Sequence, residues 1–269
     1  MHRILIFNLG GTSTKLAVFD EETLVVEGTI RHTDREIQGC TDNAEQIAFR
    51  RGAIEAWLLE NHISLDDLSA VVIRSSGAGL CKKGGTYLVT GKLRDGMYAA
   101  YRSSFPKAPH PSFIVLPLAD EILGSRPVPI YIVDPDGVDE FQDVAYITGH
   151  PDLPRSSGFH VLNHKAIARK ASRDLGKRYE DADLVVAHMG GGISIAAHRH
   201  GLVVDSTSGG SAGEGPFGTN RTGPLPLNKL VDRCFSGAYT KSEIMDLIMT
   251  QGGFLAHTGC TDLRIIEQK

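Results

Sequence analysis

The run ILIFNLGGTSTKLAVFD, from Ile4 to Asp20, comes back as LVVAHMGGGISIAAHRH, from Leu184 to His200, at a constant offset of 180 residues. Gly10 falls on Gly190, Gly11 on Gly191 and Ala17 on Ala197. Each copy is an apolar run of strand character, a polar residue (Asn8 or His188), a glycine-rich turn with hydroxyls (Thr12, Ser13 and Thr14, or Ser194) and a second strand-like run. One such hairpin in each half of a 269-residue chain predicts a duplicated domain. Glycines let a backbone approach an anion closely, and successive N–H groups with hydroxyls beside them form a nest for phosphate oxygens. Two such turns facing one another across a cleft would hold a polyphosphate; either one alone reads equally well as a tight turn. Rival phosphate motifs are absent. There is no G-x-x-x-x-G-K-[ST], and GGTSTK lacks the glycine spacing and following helix of a dinucleotide fingerprint.

Around these hairpins the pattern predicts an α/β chain. Ile4 to Asn8, Lys15 to Asp20 and Leu24 to His32 read as a strand meander. Asn43 to His62 has the 3.6-residue rhythm of an amphipathic helix, with Asn43 as its expected cap. Strands are predicted at Ala70 to Ile73 and Ile130 to Val133, helices at Leu116 to Leu123 and Val138 to Thr148, and a loop over Ser75 to Gly85. The Pro- and Ser-rich stretch Gly149 to Gly158 suggests a boundary between domains 1–154 and 155–269. Beyond it come a helix at His160 to Lys177, strands at Leu184 to His188, Ile193 to His198 and Leu202 to Asp205, and helices at Asn228 to Phe235, Ser242 to Met249 and within Thr261 to Gln268. Ser206 to Pro226, mostly Gly, Ser, Thr and Pro, is too long for a connector and reads as a binding loop.

Composition narrows the function class. With 28 basic against 32 acidic residues and a net charge of -4, the chain is a poor nucleic-acid binder. No apolar run approaches a membrane span and no signal-peptide layout precedes Ile4, so a cytoplasmic location is expected, with no membrane partner. Cys40, Cys81, Cys234 and Cys260 are widely separated, which predicts reduced structural thiols. His198 and His200 lack a third partner for a metal, Lys82 and Lys83 read as a loop-tip pair, and the Met245 to Met249 cluster as helix core.

Several stretches are distinctive: NLGGTSTKLAVFD, IYIVDPDGVDEF, GFHVLNHKAIARKASRDLGKRYEDADLVVAHMGGGISIAAH, and GEGPFGTNRTGPLP followed by CFSGAYT. On these the chain resembles the butyrate kinase and acetate kinase group of the sugar kinase, heat-shock ATPase and actin superfamily, over essentially its whole length. The resemblance implies duplicated ribonuclease-H-like α/β domains of the actin-like ATPase type, the second incomplete, with ATP and Mg2+ as cofactors and a short-chain carboxylate as acceptor. The implied reaction makes acyl phosphate and ADP reversibly. A fatty acid arrives ionised at neutral pH, so the demand on the protein is electrostatic.

Carried over residue by residue, the resemblance makes Arg221 the cation on the phosphoryl group or carboxylate, His188 a contact to phosphoryl oxygens, and Gly190, Gly191 and Gly192 the second phosphate turn. It makes Asn8, Gly10, Gly11, Thr12, Ser13, Thr14 and Lys15 the first phosphate turn, Asn8 also a positioner of metal-bound water, and Asp134 a holder of Mg2+. His164 matches the acetate kinase side, where butyrate kinases often carry Gln. Arg74 matches the arginine of the substrate loop.

This chain also departs from the family. Leu9 and Gly11 stand where Pro and Ser are usual, Arg74-Ser75-Ser76-Gly77 replaces Arg-Gly-Gly, and Phe113-Ile114-Val115 replaces Asn-Leu-Gly near His110. The family's Gly-Gly adenosine segment and second acidic Mg2+ ligand are not found before Lys269. Two alternatives follow: a catalytically impaired, truncated relative that binds phosphate or acyl phosphate without turnover, and a nucleotide switch of the heat-shock type, which GEGPF and NRTGPLP disfavour. A homodimer is expected from the family's habit.

Overall fold

The computed structural model describes residues 1–106, 110–207 and 214–268. Part of the expected binding loop, 208–213, therefore lies outside the described residues. The chain divides into two compact units, Met1–Val138 and Asp139–Lys269, which places the division ahead of the expected 154/155 boundary.

The first unit opens with β1 (Arg3–Leu9), β2 (Ser13–Asp20) and β3 (Thr23–Arg31), followed by α1 (Asp34–Gly39), α2 (Asn43–Glu60), β4 (Ala70–Ile73), β5 (Thr86–Leu88), α3 (Gly91–Ser103), α4 (Val115–Leu123) and β6 (Ile130–Val133). The sheet order is β3-β2-β1-β4-β6-β5, with β1, β4 and β6 parallel and the other pairings antiparallel. Alternation in β1 buries Leu5, Phe7 and Leu9 against Ile47, Ile54 and Leu58 of α2 and against α4, whose residues are almost all buried. Parallel order puts the carboxyl ends of β1, β4 and β6 side by side, so Asn8, Arg74 and Asp134 emerge along one edge, where ligands gather in open α/β sheets. Asp42, not Asn43, caps α2, by accepting the Glu45 N–H.

The second unit contains α5 (Val161–Asp174), β7 (Leu184–Met189), β8 (Ile193–Arg199), β9 (Leu202–Ser206), α6 (Leu227–Cys234), α7 (Lys241–Met249), α8 (Gly253–Thr258) and α9 (Leu263–Ile266). Its described sheet is the meander β7-β8-β9, the counterpart of β1-β2-β3. Each meander also carries a register slip in its second pairing, between Val18 and Phe19 in one and, one place earlier by the offset, between Ala197 and His198 in the other.

The expected helix over Val138 to Thr148 does not form; only a 3-10 turn at Asp143–Tyr146 does. Val138, Phe141 and Ala145 are buried as the periodicity demanded. Tertiary hydrogen bonds pull the backbone straight, however: Gln142 N–H donates to the Val204 carbonyl, and the Glu140 carboxylate accepts the Val203 N–H. Helix α1, closed by a capping box between Thr33 and Glu36, together with β5 and α3, adds to what periodicity indicated. Among the described residues no helix is long and apolar enough to cross a membrane.

Candidate active site

In the first unit the β1–β2 turn is closed by the Gly10 N–H donating to the Ser13 carbonyl at 2.8 Å. A Cβ on Gly10 would sit 2.9 Å from Ser13 Oγ, whereas one on Gly11 would meet nothing within 4 Å. Gly11 and Thr12 form the exposed tip. Thr14 instead turns inward and is fully buried, its hydroxyl between His32 Nε2 (2.9 Å) and an Arg50 Nη1 (2.9 Å). It shapes the turn from within. Lys15 is exposed and lies opposite Asn8 in the ladder. Both line a cavity of about 530 Å3 with Ile6, Ala17, Glu27 and Thr29.

Arg74 is anchored by its N–H to the Phe7 carbonyl, and its guanidinium pairs with Asp136 at 3.3 Å. His110 belongs to the same charge cluster: burial first, then Arg74, lowers its pKa, while Asp136 raises it. The serines that replace the family's glycines are accommodated, since Ser75 is buried with its Oγ accepting the Gly77 N–H. The loop behind requires Gly137, whose Cβ would come within 2.7 Å of the Ser76 carbonyl. Asp134 is 1% exposed and has a positive φ of 42°, a strained conformation held by two hydrogen bonds to Gly85, one from each direction.

In the second unit the β7–β8 turn carries His188 opposite Ser194. The Asn163 amide donates to His188 Nδ1 at 2.9 Å, which leaves the proton on Nε2 and makes that nitrogen a neutral donor. His160 stacks on the His188 ring at 3.8 Å and 16°. Beneath them the buried Ser194 hydroxyl meets His160 Nδ1 at 2.9 Å and His164 Nε2 at 2.8 Å. His164 is fully buried and supports Ser194 from the core side. Burial, with His198 and His188 nearby, pushes its pKa down to about 4, and burial with Lys165 does the same to His198.

Arg221 rides on a loop packed backbone to backbone on this turn. Gly218 N–H donates to the Arg221 carbonyl, Thr219 N–H to the Gly190 carbonyl, and a Cβ on Gly218 would lie 2.1 Å from the Gly191 carbonyl oxygen. Gly253, at φ +61°, is equally close to the Gly218 carbonyl. Arg221 is half-buried, and burial lowers its pKa. The structure thus gathers Gly190, Gly191, Gly192, His188 and Arg221 in one unit, and Asn8, Arg74, Asp134 and the first turn in the other. His160 and Gly218 go beyond the sequence reading; the spacing of His160, the N-cap of α5, four residues before His164 is the signal that could have found His160.

Asparagine, aspartate and hydroxyl oxygens at the strand ends are hard ligands, suited to a divalent cation that keeps most of its shell as water and phosphate oxygens. Among the described residues no group of three or more His, Cys, Asp or Glu forms a closed metal cage. The donor set therefore fits a cation that arrives on a polyphosphate.

The sheet order, the repeated meander and the paired glycine turns define a duplicated ribonuclease-H-like ATPase fold. Known proteins agree. The chain is 39% identical over 270 residues to a probable butyrate kinase of Clostridium botulinum, covering 100% of this chain and 74% of that protein. It is 39% identical over 271 residues to butyrate kinase 1 of Clostridium acetobutylicum, again covering 100% and 74%. Residues 150–269 match the Acetokinase family. Among solved structures, an acetate kinase from Porphyromonas gingivalis superposes with a TM-score of 0.75 at 18% identity, covering 100% of this chain and 73% of its own. A propionate kinase from Francisella tularensis does so with 0.73, also at 18%. The chain belongs to the acetokinase family, on its butyrate kinase branch.

Proposed function

We propose that this protein transfers the terminal phosphoryl group of Mg2+-bound ATP to the carboxylate of a short-chain fatty acid of butyrate size. The observation that carries the reading is the 39% identity to butyrate kinases along the whole chain, with His188 and Arg221 gathered at the second glycine turn. A carboxylate oxygen bonds to phosphorus while the bond to the bridging oxygen of ADP breaks, and no proton is gained or lost. Ordinary carboxylic acids are ionised well below pH 7, so the reaction needs no general base. Consistent with that, the two histidines with strongly lowered pKa, His164 and His198, are buried in the core of the second unit.

The remaining task is to hold charge. His188 Nε2–H and the Arg221 guanidinium are donors for the equatorial oxygens of the transferring group, one neutral and one cationic. His160, by stacking, and Asn163, by hydrogen bonding, fix the His188 ring as positioning residues, and Ser194 with His164 holds His160 from behind. Gly10, Gly11, Thr12 and Ser13 form the other phosphate nest, with Lys15 at its flank, and Arg74 with His110 receives the carboxylate. Mg2+, when bound, neutralises phosphate charge; Asp134 and Asn8 are the residues that would hold it.

The test is an acyl-hydroxamate assay with Mg2+, ATP and acetate, propionate, butyrate or isobutyrate in parallel, because hydroxylamine traps the acyl phosphate. Product, greatest with butyrate or isobutyrate, is the expected result. No product from protein with a cooperative melt would overturn the kinase reading and leave a phosphate-binding protein.

A further inference from the structure

Arg50, on α2, is fully buried and has a role that the proposed chemistry does not use. Its guanidinium lies behind the first glycine turn and donates to four oxygens of it: the Gly10 carbonyl (2.9 Å), the Gly11 carbonyl (2.9 Å), the Ser13 carbonyl (3.1 Å) and Thr14 Oγ1 (2.9 Å). Its Nε is buried and has no hydrogen-bond partner among the described residues. No carboxylate pairs with it there either, whereas the buried Lys165 has Glu140 and the partly buried Arg3 and Arg155 have Asp20 and Asp205. Burying a cation without an anion is costly and needs a compensating interaction.

Two consequences follow from the geometry. Drawing the carbonyls of Gly10, Gly11 and Ser13 inward commits one side of the turn to the guanidinium. The N–H groups of Gly11 and Thr12, at the exposed tip, make no hydrogen bond among the described residues. The tip therefore combines unengaged donors with an uncompensated positive charge directly behind it, which is the electrostatic arrangement of an anion site.

We propose that Arg50 is the buried positioning residue of the first phosphate turn, its missing counter-charge being a phosphate of a polyphosphate ligand seated on Gly11 and Thr12. This rests on the reading of that turn as a phosphate site. Burial brings the guanidinium pKa down to about 10, so it remains charged across the physiological range.

Calorimetric titration with inorganic tripolyphosphate tests this on the full chain, its Arg50→Lys and its Arg50→Gln variants. Arg50→Gln is expected to weaken binding by about tenfold or more, with Arg50→Lys recovering part of the loss, because lysine keeps the charge but not the four-oxygen fork. KM for ATP should rise while KM for the carboxylate stays put, a split that general loosening of the fold would not give. Equal affinity in all three proteins overturns the proposal. Should the variants not fold, the Nε–H resonance of Arg50 in the wild type decides: it shifts on titration with tripolyphosphate if the proposal holds, and an unmoved resonance overturns it. A wild type that does not bind tripolyphosphate overturns it too. Tripolyphosphate binding requires no phosphoryl transfer, so a protein that binds in an Arg50-dependent way but makes no acyl phosphate loses only the kinase reading.

Discussion

Thr14 and Ser194 stand at the same place in the two copies of the repeat, 180 residues apart, and both are completely buried. Each hydroxyl holds two basic side chains behind a glycine turn. Thr14 holds His32 and Arg50; Ser194 holds His160 and His164. The first turn is backed by a permanent cation, the second by two imidazoles, of which His164 is kept neutral by burial. The turns differ in length as well, since Leu9 pairs with Thr14 across the first and Met189 with Ile193 across the second. The difference teaches that a duplicated backbone need not carry duplicated electrostatics: one turn suits static binding of charge, the other suits hydrogen bonding to a group whose charge distribution changes.

The largest effect that would sharpen this contrast is on Arg221. Arg221→Ala is expected to cut turnover by about 10³ or more, with the melting temperature little changed; turnover near wild type would remove the residue from the phosphoryl group. Acid comes next. His164 and His198 titrate near 4 in the folded chain against 6.5 ordinarily, so below pH 6.5 the unfolded chain takes up protons that the fold refuses. Stability should fall from pH 6.5 towards 4 by roughly 1.4 kcal/mol per pH unit for each of the two, and be flat in this respect above 6.5. Denaturant melts across that range, with hydrogen exchange on β7 and β8, measure it, and a flat profile would show that these imidazoles are not buried neutral.

His188→Ala should reduce kcat by about 10² while the protein still binds tripolyphosphate, because it removes a donor to the transferring group rather than the first turn. Loss of binding with kcat unaltered would reverse the roles given to the two turns. Gly218→Ala, forced against the Gly191 carbonyl, is expected to cost about 2 kcal/mol in a chemical melt. Gly11→Ser, which points into open space, should change stability by no more than about 0.5 kcal/mol. Similar costs at both positions would mean that the second turn is not packed more tightly than the first.

Much of this was legible in the chain. Alternating burial in β1 and β2, the glycine turns and the offset repeat located both hairpins, because strand period and glycine chemistry are local properties. Arg74 and Asp134 were singled out by the resemblance, and the parallel strand order places both at strand ends. Arg50 was hidden inside a helix whose rhythm made it an ordinary polar position, and only the packing of α2 under the β1–β2 turn gives it four partners. His164 shows the other limit: its neighbours pointed to chemistry, while its complete burial is decided by the fold.

By itself, then, the sequence determined the duplicated hairpins, the α/β class and the residue types that a phosphoryl-transfer site requires, since these depend on periodicities and motifs within a few residues. Tertiary structure alone decided which hydroxyls face inward, which histidines stay neutral, and that Val138 to Thr148 gives up its helical period for hydrogen bonds to β9. Those outcomes depend on desolvation and on partners dozens of residues away, and neither is written in any local stretch of chain.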